Sequence, residues 1–290
     1  MRSINRREFI QQSAAVVTAA CVLSPLAAGE NAVKAACTRH PLGKTGVMPT
    51  LLGMGTGTRA GNKSSEQNRQ GREGFLKTLV HAYEQGIRYY DMSDSYGAHE
   101  YVRDAIKQAN MPRQELVLNT KTDSKDAAKV RADIERFRRE LDTDYLDVVM
   151  LHCMTSKEWP EKLAPCMDVL SEAKQKGIIR AHGVSCHDKG ALQRAAESPW
   201  VDVMLARINP GTVLMDGTPD EIAAILKTAH ANGKGVIGMK ILGEGNLVKR
   251  IDEALKFAVG LGCLDAMAIG FVKPGEIDDT IARIETAATK

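Results

Sequence analysis

Short apolar runs alternate with longer segments of helical periodicity over most of the chain. In the longer segments apolar residues recur three or four positions apart, which is typical of a helix with one buried face. One run and the segment after it take about 30 residues, the length of a strand and its crossover helix. The pattern predicts eight strand–helix units, with strands at 51–56, 87–92, 115–121, 145–152, 178–185, 201–206, 235–241 and 264–270.

Several helix ends can be placed from single residues. Thr218 lies three positions before Glu221, which predicts a capping box at the start of a helix. Gly86, Gly177 and Gly233 each follow a helical segment and precede an apolar run. Glycine tolerates the left-handed conformation in which many helices end, so these three positions are predicted helix ends.

Eight units in about 240 residues predict an α/β fold in which a single (β/α)8 TIM barrel forms one domain. The alternative is a doubly wound open sheet, whose strands are also buried on both faces. Such sheets usually carry a G-x-G-x-x-G turn, and segment 53–57 does not complete it because Thr58 or Ala60 replaces the third glycine. Segment 41–49 contains a glycine-rich turn, and we expect an N-terminal β-hairpin there that closes the bottom of the barrel.

The N-terminal segment is predicted to be an export signal that lies outside the barrel. Arg6 and Arg7 precede a run of small and apolar residues at 13–28, and this order resembles a twin-arginine (Tat) signal, whose route exports folded proteins. The run has about 16 residues, fewer than the ~20 that span a bilayer. We expect 1–36 to be a signal peptide and linker and 37–290 to be the barrel. The predicted partner is then the Tat export machinery, and the location periplasmic or otherwise exported.

Composition excludes several other classes of protein. The chain is 43% hydrophobic and 26% charged, which is ordinary for a globular protein and unlike a disordered, collagen-like or polytopic membrane protein. Its net charge of +3 is too small to indicate a nucleic-acid surface. The six cysteines form no C-x-x-C pair and the histidines form no H-E-x-x-H motif, so we predict no metal site.

Four polar residues lie at or just after the ends of three consecutive predicted strands. They are Asp91 and Tyr96 after the second strand, Lys121 at the end of the third, and His152 at the end of the fourth. The carboxyl ends of barrel strands share one rim, where barrel enzymes place their chemistry. Each residue alone has an ordinary structural explanation, but four at matched positions indicate an active site.

Together these side chains are suited to giving a proton to a carbonyl oxygen. A phenol with a pKa near 10 is a weak acid at neutral pH, and a nearby ammonium group lowers that pKa. We therefore expect Lys121 to activate Tyr96, Asp91 to hold the lysine, and a neutral His152 to orient the carbonyl. The carbonyl carbon also needs a hydride, which no side chain supplies, so a nicotinamide cofactor is implied.

The chain resembles the aldo-keto reductase family from about Arg39 to its C-terminus. The motifs that carry the resemblance are PLGKTG at 41–46, LGMGTG at 52–57, D-x4-YG at 91–97, TK at 120–121, DYLD at 144–147 with LH at 151–152, GVS at 183–185, and MK at 239–240 with LG at 242–243. The resemblance implies Tyr96 as general acid, Lys121 and Asp91 as the groups that tune it, and His152 as the group that orients substrate. It also implies a small-molecule carbonyl substrate.

The resemblance further implies NADPH or NADH as cofactor. The implied cofactor-binding residues are Gly55, Thr56, Ser185, Cys186, Met239, Lys240, Gly243, Phe271 and Lys273. Cys186 and Leu205 replace the asparagine and glutamine with which the family commonly contacts the carboxamide. Glu276 aligns with an arginine that binds the adenosine phosphate of NADP, so it is expected to repel that phosphate and weaken the preference for NADPH. Other cations that could bind the phosphate are Lys273, Lys240 and Arg283.

Other positions near the predicted rim have open roles. Cys153 follows His152, but adjacent strand residues face opposite sides, so catalytic work by this thiol is not expected. Arg207 and Asn209 follow the sixth strand and either contact substrate or form a rim salt bridge. Segments 57–71 and 154–160 are predicted to line the substrate site.

The sequence thus predicts NAD(P)H-dependent reduction of an aldehyde or ketone to an alcohol by a protein exported after folding. The alternative is a non-catalytic barrel subunit that binds nucleotide or senses redox state. The complete set of Asp91, Tyr96, Lys121 and His152 favours the enzyme, whereas the replaced carboxamide contacts favour the alternative.

Overall fold

The computed structural model describes residues Lys34–Thr289, so the predicted signal segment and part of its linker lie outside the described residues. Eight parallel strands pair in chain order, and β1 pairs with β8 to close the barrel. The strands are β1 Leu52–Gly55, β2 Tyr89–Asp91, β3 Val117–Thr122, β4 Leu146–Met154, β5 Ile179–Cys186, β6 Val203–Arg207, β7 Gly235–Met239 and β8 Ala266–Gly270. The predicted (β/α)8 barrel is confirmed, with each strand inside or close to its predicted run.

Helices connect the strands and cover the barrel from outside. The α-helices are α1 Glu66–Arg69, α2 Arg72–Glu84, α3 His99–Gln108, α4 Ala127–Leu141, α5 Trp159–Lys162, α6 Ala164–Gln175, α7 Lys189–Glu197, α8 Pro219–Ala231, α9 Ile251–Gly260 and α10 Pro274–Ala288. Short 3-10 helices occur at Ala35–Cys37, Asp94–Tyr96, Arg113–Glu115, Gly243–Gly245 and Val248–Arg250. In the described part of the chain, no helix is both long and apolar enough to cross a membrane.

The predicted helix ends are present. Thr218 Oγ1 accepts a hydrogen bond from the N–H of Glu221 at 3.3 Å, and the glutamate carboxylate accepts one from the N–H of Thr218 at 2.9 Å. This reciprocal pair is the capping box that the sequence indicates. Gly86, Gly177 and Gly233 have φ values of +100°, +70° and +83°, so each helix before them ends in the conformation that favours glycine.

The segment before β1 folds back beneath the barrel with less strand pairing than expected. Arg39 and Thr50 form a single antiparallel bridge. Two backbone hydrogen bonds continue the pairing toward the turn, from His40 N–H to the Pro49 carbonyl at 3.0 Å and from Leu42 N–H to the Val47 carbonyl at 2.9 Å. Prolines at positions 41 and 49 lack the N–H that a strand ladder needs. The segment therefore does not form the two paired strands of the predicted hairpin.

Apolar side chains fill the barrel interior at its lower end. Leu42 and Val47 of the N-terminal segment are fully buried among inward-facing strand residues, so this segment closes the bottom of the barrel. The inner cluster consists of Leu42, Val47, Tyr89, Val117, Val148, Met150, Ala181, Val203, Leu205, Ile237, Met239 and Ala266. A larger cluster packs the outer face of the strands against the helices. The polar side chains that are available for chemistry are therefore expected at the upper rim, at the carboxyl ends of the strands.

Candidate active site

The four side chains singled out in the sequence meet at the upper rim. Asp91 ends β2, Lys121 lies in β3, His152 lies in β4, and Tyr96 ends the 3-10 helix that follows β2. Lys121 Nζ lies 2.8 Å from Asp91 Oδ1 and 5.2 Å from the centre of the Tyr96 ring. The Tyr96 hydroxyl lies 3.5 Å from His152 Nε2. Strands that are distant in sequence thus bring an acid, an ammonium group, a phenol and an imidazole together.

The lysine and the aspartate form a buried, hydrogen-bonded pair. Lys121 is completely buried, and its Nζ donates to Asp91 Oδ1 at 2.8 Å and to the Met92 carbonyl at 2.7 Å. Asn119 Nδ2 donates to the same Asp91 oxygen at 2.7 Å. Burial lowers the pKa of Lys121, while the attraction of Asp91 opposes that shift. The pair therefore fixes a cation directly below the Tyr96 ring.

Tyr96 is held in place by the turn that carries it and by a glycine beside its ring. Gly97 ends the turn with φ of +66°, and Asn68 Nδ2 donates to the Tyr96 carbonyl at 2.9 Å. A Cβ on Gly57 would overlap carbon atoms of the Tyr96 ring. The absence of a side chain at Gly57 therefore gives the phenol its place at the barrel mouth.

The acidity of Tyr96 differs from the expectation. Burial raises the pKa of Tyr96 well above its ordinary value, and the negative charges of Asp91 and Asp123 raise it further. Lys121 was expected to lower this pKa, but burial and the carboxylate charges outweigh any lowering by the ammonium group. The phenol therefore stays protonated at neutral pH, which is the state that a proton donor needs.

His152 has a carboxylate partner that the sequence reading missed. Its Nδ1 lies 2.6 Å from Asp123 Oδ1 and 3.1 Å from Ser93 Oγ, and its ring meets the Tyr96 ring edge-on at 5.7 Å between centres. Partial burial favours a higher pKa for Asp123, but hydrogen bonds and the charge of His152 outweigh it and lower that pKa to about 2. An ionised carboxylate only accepts hydrogen bonds, so Nδ1 is the donor and Nε2 faces the phenol.

A cavity of about 430 Å³ opens beside Asp91 and Tyr96 and runs to the start of α10. Four of the residues that the resemblance implies for cofactor binding line it: Gly55, Met239, Lys240 and Phe271. Other lining residues come from the loop after β1, from α1, from the loop after β7, from the end of β8 and from α10, and include Gly57, Thr58, Arg59, Glu66, Gln67, Glu244, Gly270, Glu276, Asp279 and Arg283. The cavity thus connects the proton-donating site with charged side chains of α10.

The other five implied cofactor residues lie outside this lining. Thr56 Oγ1 donates to the Asp91 carbonyl at 2.8 Å, and Ser185 Oγ accepts from the Cys153 N–H at 2.8 Å. Cys186 and Gly243 are buried, and Lys273 is exposed at the start of α10. Burial raises the pKa of the Cys186 thiol, so it is not a thiolate. Thr56, Ser185, Cys186, Gly243 and Lys273 remain predictions as cofactor residues.

Every cationic side chain that lines the cavity is paired with a carboxylate. The pairs are Arg59 with Glu66 at 2.6 Å, Lys240 with Glu244, and Arg283 with Asp279 at 2.8 Å and with Asp252 at 2.6 Å. Arg59 also donates from Nη2 to the Glu244 carbonyl at 3.1 Å, which links the loop after β1 to the loop after β7. An anionic ligand in this cavity must therefore compete with carboxylates that are already in place.

Glu276 lies at the far end of the cavity. Its Oε2 accepts hydrogen bonds from the N–H groups of Val272 at 2.8 Å and Lys273 at 3.3 Å. The N-terminus of a helix favours anions, and here the glutamate carboxylate takes that position. Glu276 was expected to repel a phosphate, and its contacts add that it also occupies amide donors that a phosphate would use.

The remaining rim candidates have structural partners. Arg207 Nε donates to Asp216 Oδ2 at 2.9 Å, so a rim salt bridge is present at this position. Asn209 Nδ2 donates to the carbonyls of Val213 at 2.8 Å and Lys240 at 3.0 Å. Cys153 is half-buried with φ of +62°, and burial raises the pKa of its thiol. None of these observations gives the Cys153 thiol a catalytic role.

The sequence offered a signal for one missed group. Asp123 lies two positions after Lys121 and directly follows β3, so the alternation of that strand, continued by one residue, predicts both on one side at the same rim. Asn119, the other missed partner, lies two positions before Lys121 and donates to Asp91. The link between Arg59 and Glu244 joins two loops and had no signal of this kind. Among the described residues, no cluster of three or more potential ligands is arranged to hold a metal.

Comparisons with known proteins agree with this architecture. A profile of the aldo/keto reductase family matches residues 51–258. The chain is 30% identical over 161 residues to the aldo-keto reductase YhdN of Bacillus subtilis, which covers 49% of this chain and 44% of that protein. It is 27% identical over 143 residues to the methylglyoxal reductase DkgA of Salmonella typhimurium, which covers 47% of this chain and 49% of that one.

The barrel is also similar to a solved structure of a Bombyx mori aldo-keto reductase in complex with NADP. The TM-score is 0.64 at 16% sequence identity, over 87% of this chain and 92% of that one. The chain spans about half the length of the curated relatives it matches. Since the family profile covers most of the chain, the chain belongs to the aldo/keto reductase family.

Proposed function

We propose that this protein reduces an aldehyde or ketone to the alcohol with NADPH or NADH. The observation that carries the proposal is the Tyr96 hydroxyl, which lies next to His152, above the Lys121–Asp91 pair and at the wall of the 430 Å³ cavity. A protonated phenol beside a fixed cation is suited to donate a proton to a carbonyl oxygen as negative charge develops there.

Each side chain has a separate task in this reaction. Tyr96 gives the proton of its hydroxyl to the carbonyl oxygen. Lys121 then lies close to the negative charge left on the phenolate, and Asp91 keeps the ammonium group in position through its 2.8 Å contact. His152 presents Nε2 beside the phenol and so limits the directions from which a carbonyl can approach.

The cavity connects the proton-donating site with cationic side chains that could meet the phosphates of a nicotinamide dinucleotide. When bound, the cofactor supplies the hydride that the carbonyl carbon requires. Gly55, Gly57 and Gly270 line the wall near the tyrosine, and the cavity leads from there to α10. Arg59, Lys240 and Arg283 are the cations able to meet its phosphates after releasing their carboxylate partners.

The charged end of the cavity favours weak discrimination between the two cofactors. The phosphate that distinguishes NADPH needs cationic partners, preferably a bidentate arginine. Arg283 is the arginine of α10 that lines the cavity, and it is paired with Asp279 and Asp252. Glu276 accepts a hydrogen bond from the Val272 N–H at the start of this helix. We therefore propose that NADH and NADPH bind with similar affinities.

Turnover of a reactive dicarbonyl tests the proposed activity. The relatives named methylglyoxal reductases make methylglyoxal the first substrate to assay, followed by a panel of aldehydes and ketones. We expect loss of NADPH or NADH to match formation of the alcohol, with both lost in Tyr96→Phe. Cofactor binding without turnover of any carbonyl in the panel would contradict the proposal.

A second candidate function is nucleotide binding without catalysis. It is favoured by β5 and β6, where Ser185 Oγ is engaged by the Cys153 N–H and Cys186 and Leu205 are buried. Leu205 offers a carboxamide no polar side-chain atom, and the Ser185 hydroxyl already accepts one hydrogen bond, so few polar partners remain here. This candidate predicts tight cofactor binding that Tyr96→Phe leaves unchanged and no carbonyl turnover in the parent protein, so the same assay separates the two functions.

We also propose that residues 1–36 comprise a twin-arginine signal peptide and a short linker, and that the signal directs the folded protein to the periplasm or to another exported location. The support is the Arg6-Arg7 pair followed by the apolar run at 13–28. Replacement of Arg6 and Arg7 by lysine should retain the protein in the cytoplasm of a host with this export route. Export of that variant at the parent level would exclude the proposal.

A further inference from the structure

One carboxylate contacts both the ring of His152 and the turn that carries Tyr96. Asp123 Oδ1 lies 2.6 Å from His152 Nδ1. Asp123 Oδ2 accepts a hydrogen bond from the Ser95 N–H at 3.1 Å and one from Ser93 Oγ at 3.4 Å. Ser95 directly precedes Tyr96 in the 3-10 helix Asp94–Tyr96. The loop after β3 is thereby connected to β4 and to the turn after β2.

These contacts determine where the histidine proton resides. A neutral imidazole has one donor nitrogen and one acceptor nitrogen, and the partner of one fixes the role of the other. Because the Asp123 carboxylate only accepts, the proton of the neutral ring belongs on Nδ1. Nε2 is then an acceptor for the Tyr96 hydroxyl, and it donates toward a carbonyl oxygen only when the ring carries a second proton. The neutral His152 expected from the sequence therefore faces the substrate side with an acceptor nitrogen.

Other groups around His152 leave Asp123 as its main electrostatic partner. Lys125 Nζ donates to the His152 carbonyl at 2.7 Å, which holds the backbone from the same loop. The His187 ring lies 6.2 Å away between centres, and burial and Arg207 lower the pKa of His187 to about 3, so it is neutral. Within Lys34–Thr289, Asp123 is the only carboxylate that contacts the His152 ring.

We propose that Asp123 is a positioning residue that acts through His152 and Tyr96. It keeps the histidine proton on Nδ1, turns Nε2 toward the phenol and the substrate, and anchors the turn that sets the height of the Tyr96 hydroxyl. The catalytic consequence rests on the proposed carbonyl reduction, whereas the location of the histidine proton is a property of the free protein.

The variant Asp123→Asn tests the proposal with little change of shape. The Ser95 N–H still requires an acceptor, so the asparagine oxygen turns to Ser95 and its NH2 group faces His152 Nδ1. We expect nitrogen NMR of the neutral His152 ring to show the proton on Nδ1 in the parent and on Nε2 in the variant. Carbonyl turnover should fall at least about tenfold because a carboxylate that fixes a histidine tautomer carries effects of this size or larger. The dissociation constants of NADPH and NADH should stay within about twofold of the parent values.

Asp126→Asn is the matched control. Asp126 lies in the same loop, carries the same charge and accepts from the Lys129 N–H at 2.9 Å, a cap that asparagine also provides. It should leave the ring proton and the turnover unchanged. The proposal is overturned if Asp123→Asn keeps the proton on Nδ1, or if its turnover equals that of Asp126→Asn. A parent without carbonyl turnover would defeat the proposed function, while the NMR comparison would still decide the role of Asp123.

Discussion

The two sides of the barrel mouth differ in how deeply their charged groups are buried. On the side of β2 to β4, the polar groups are buried and bonded to one another, as in the pair of Lys121 and Asp91. On the side of β7, β8 and α10, the charged groups border an open cavity, and pairs such as Arg283 with Asp279 are partly exposed. Buried pairs hold fixed geometry at a high desolvation cost, whereas exposed pairs exchange partners easily. The first side is therefore suited to chemistry and the second to binding an exchangeable anionic ligand.

The largest effect is expected from breaking the buried pair. Lys121→Met leaves Asp91 buried without its cation, and removal of one partner of a buried pair typically costs about 3–5 kcal/mol. Urea unfolding measures this loss. The double variant Asp91→Asn with Lys121→Met should recover part of it, because no charge is then left buried. A single variant as stable as the parent would show that the pair is not tightly enclosed.

A smaller effect is expected from crowding Tyr96 without changing any polar group. The methyl group in Gly57→Ala overlaps the Tyr96 ring, so the ring must shift. A displacement near 1 Å costs up to about 10²-fold in turnover, since the hydroxyl no longer meets the carbonyl in line. Steady-state kinetics should show this loss in Gly57→Ala. Gly61→Ala is the control, because a Cβ there meets no neighbouring atom.

The binding side should respond to charge with a change of selectivity. Glu276→Arg removes the carboxylate from the Val272 and Lys273 amides and adds a cation at the cavity wall. We expect NADPH to bind about tenfold more tightly and NADH to bind nearly as before. Asp278→Arg makes the same charge change on α10 outside the cavity lining and should not alter the ratio. A parent that already prefers NADPH a hundredfold would contradict the role given to Glu276.

The smallest effect concerns stability in acid. The pKa of Asp123 is lowered from 3.8 to about 2, so its ionised form stabilises the fold at neutral pH. That contribution is present above pH ~4 and is lost as the pH falls toward ~2. The difference in unfolding free energy between the parent and Asp123→Asn should shrink over this interval. The side chain is 42% exposed, so solvent screening keeps the difference small. A difference that stays constant down to pH 2 would oppose this assignment.

The sequence predicted the chemical side of the barrel better than the binding side. Strand periodicity places Asp91, Lys121 and His152 on one rim. The positions of the strands then determine where these three side chains lie. The positions of Arg59 and Glu244 depend on how two loops meet, which no local pattern encodes. The pKa of Tyr96 was expected in the wrong direction because burial and the nearby carboxylate charges are properties of the packed fold.

The N-terminal segment shows the same limit on a smaller scale. Its turn and its place beneath the barrel follow from glycines and apolar residues, and Leu42 is buried as expected for a plug. The number of backbone hydrogen bonds across it depends on both prolines and on the contacts of the segment with the barrel floor. The pattern therefore predicts the location of this segment but not its pairing.

The central claim is that Tyr96 donates the proton in carbonyl reduction, and a single comparison tests it most directly. Turnover of methylglyoxal with NADPH is measured for the parent and for Tyr96→Phe, with cofactor dissociation constants determined for both proteins. We expect the variant to lose about 10²–10⁴-fold in turnover while its cofactor affinity changes little, because only the donor hydroxyl is removed. Equal turnover in the two proteins would contradict the mechanism.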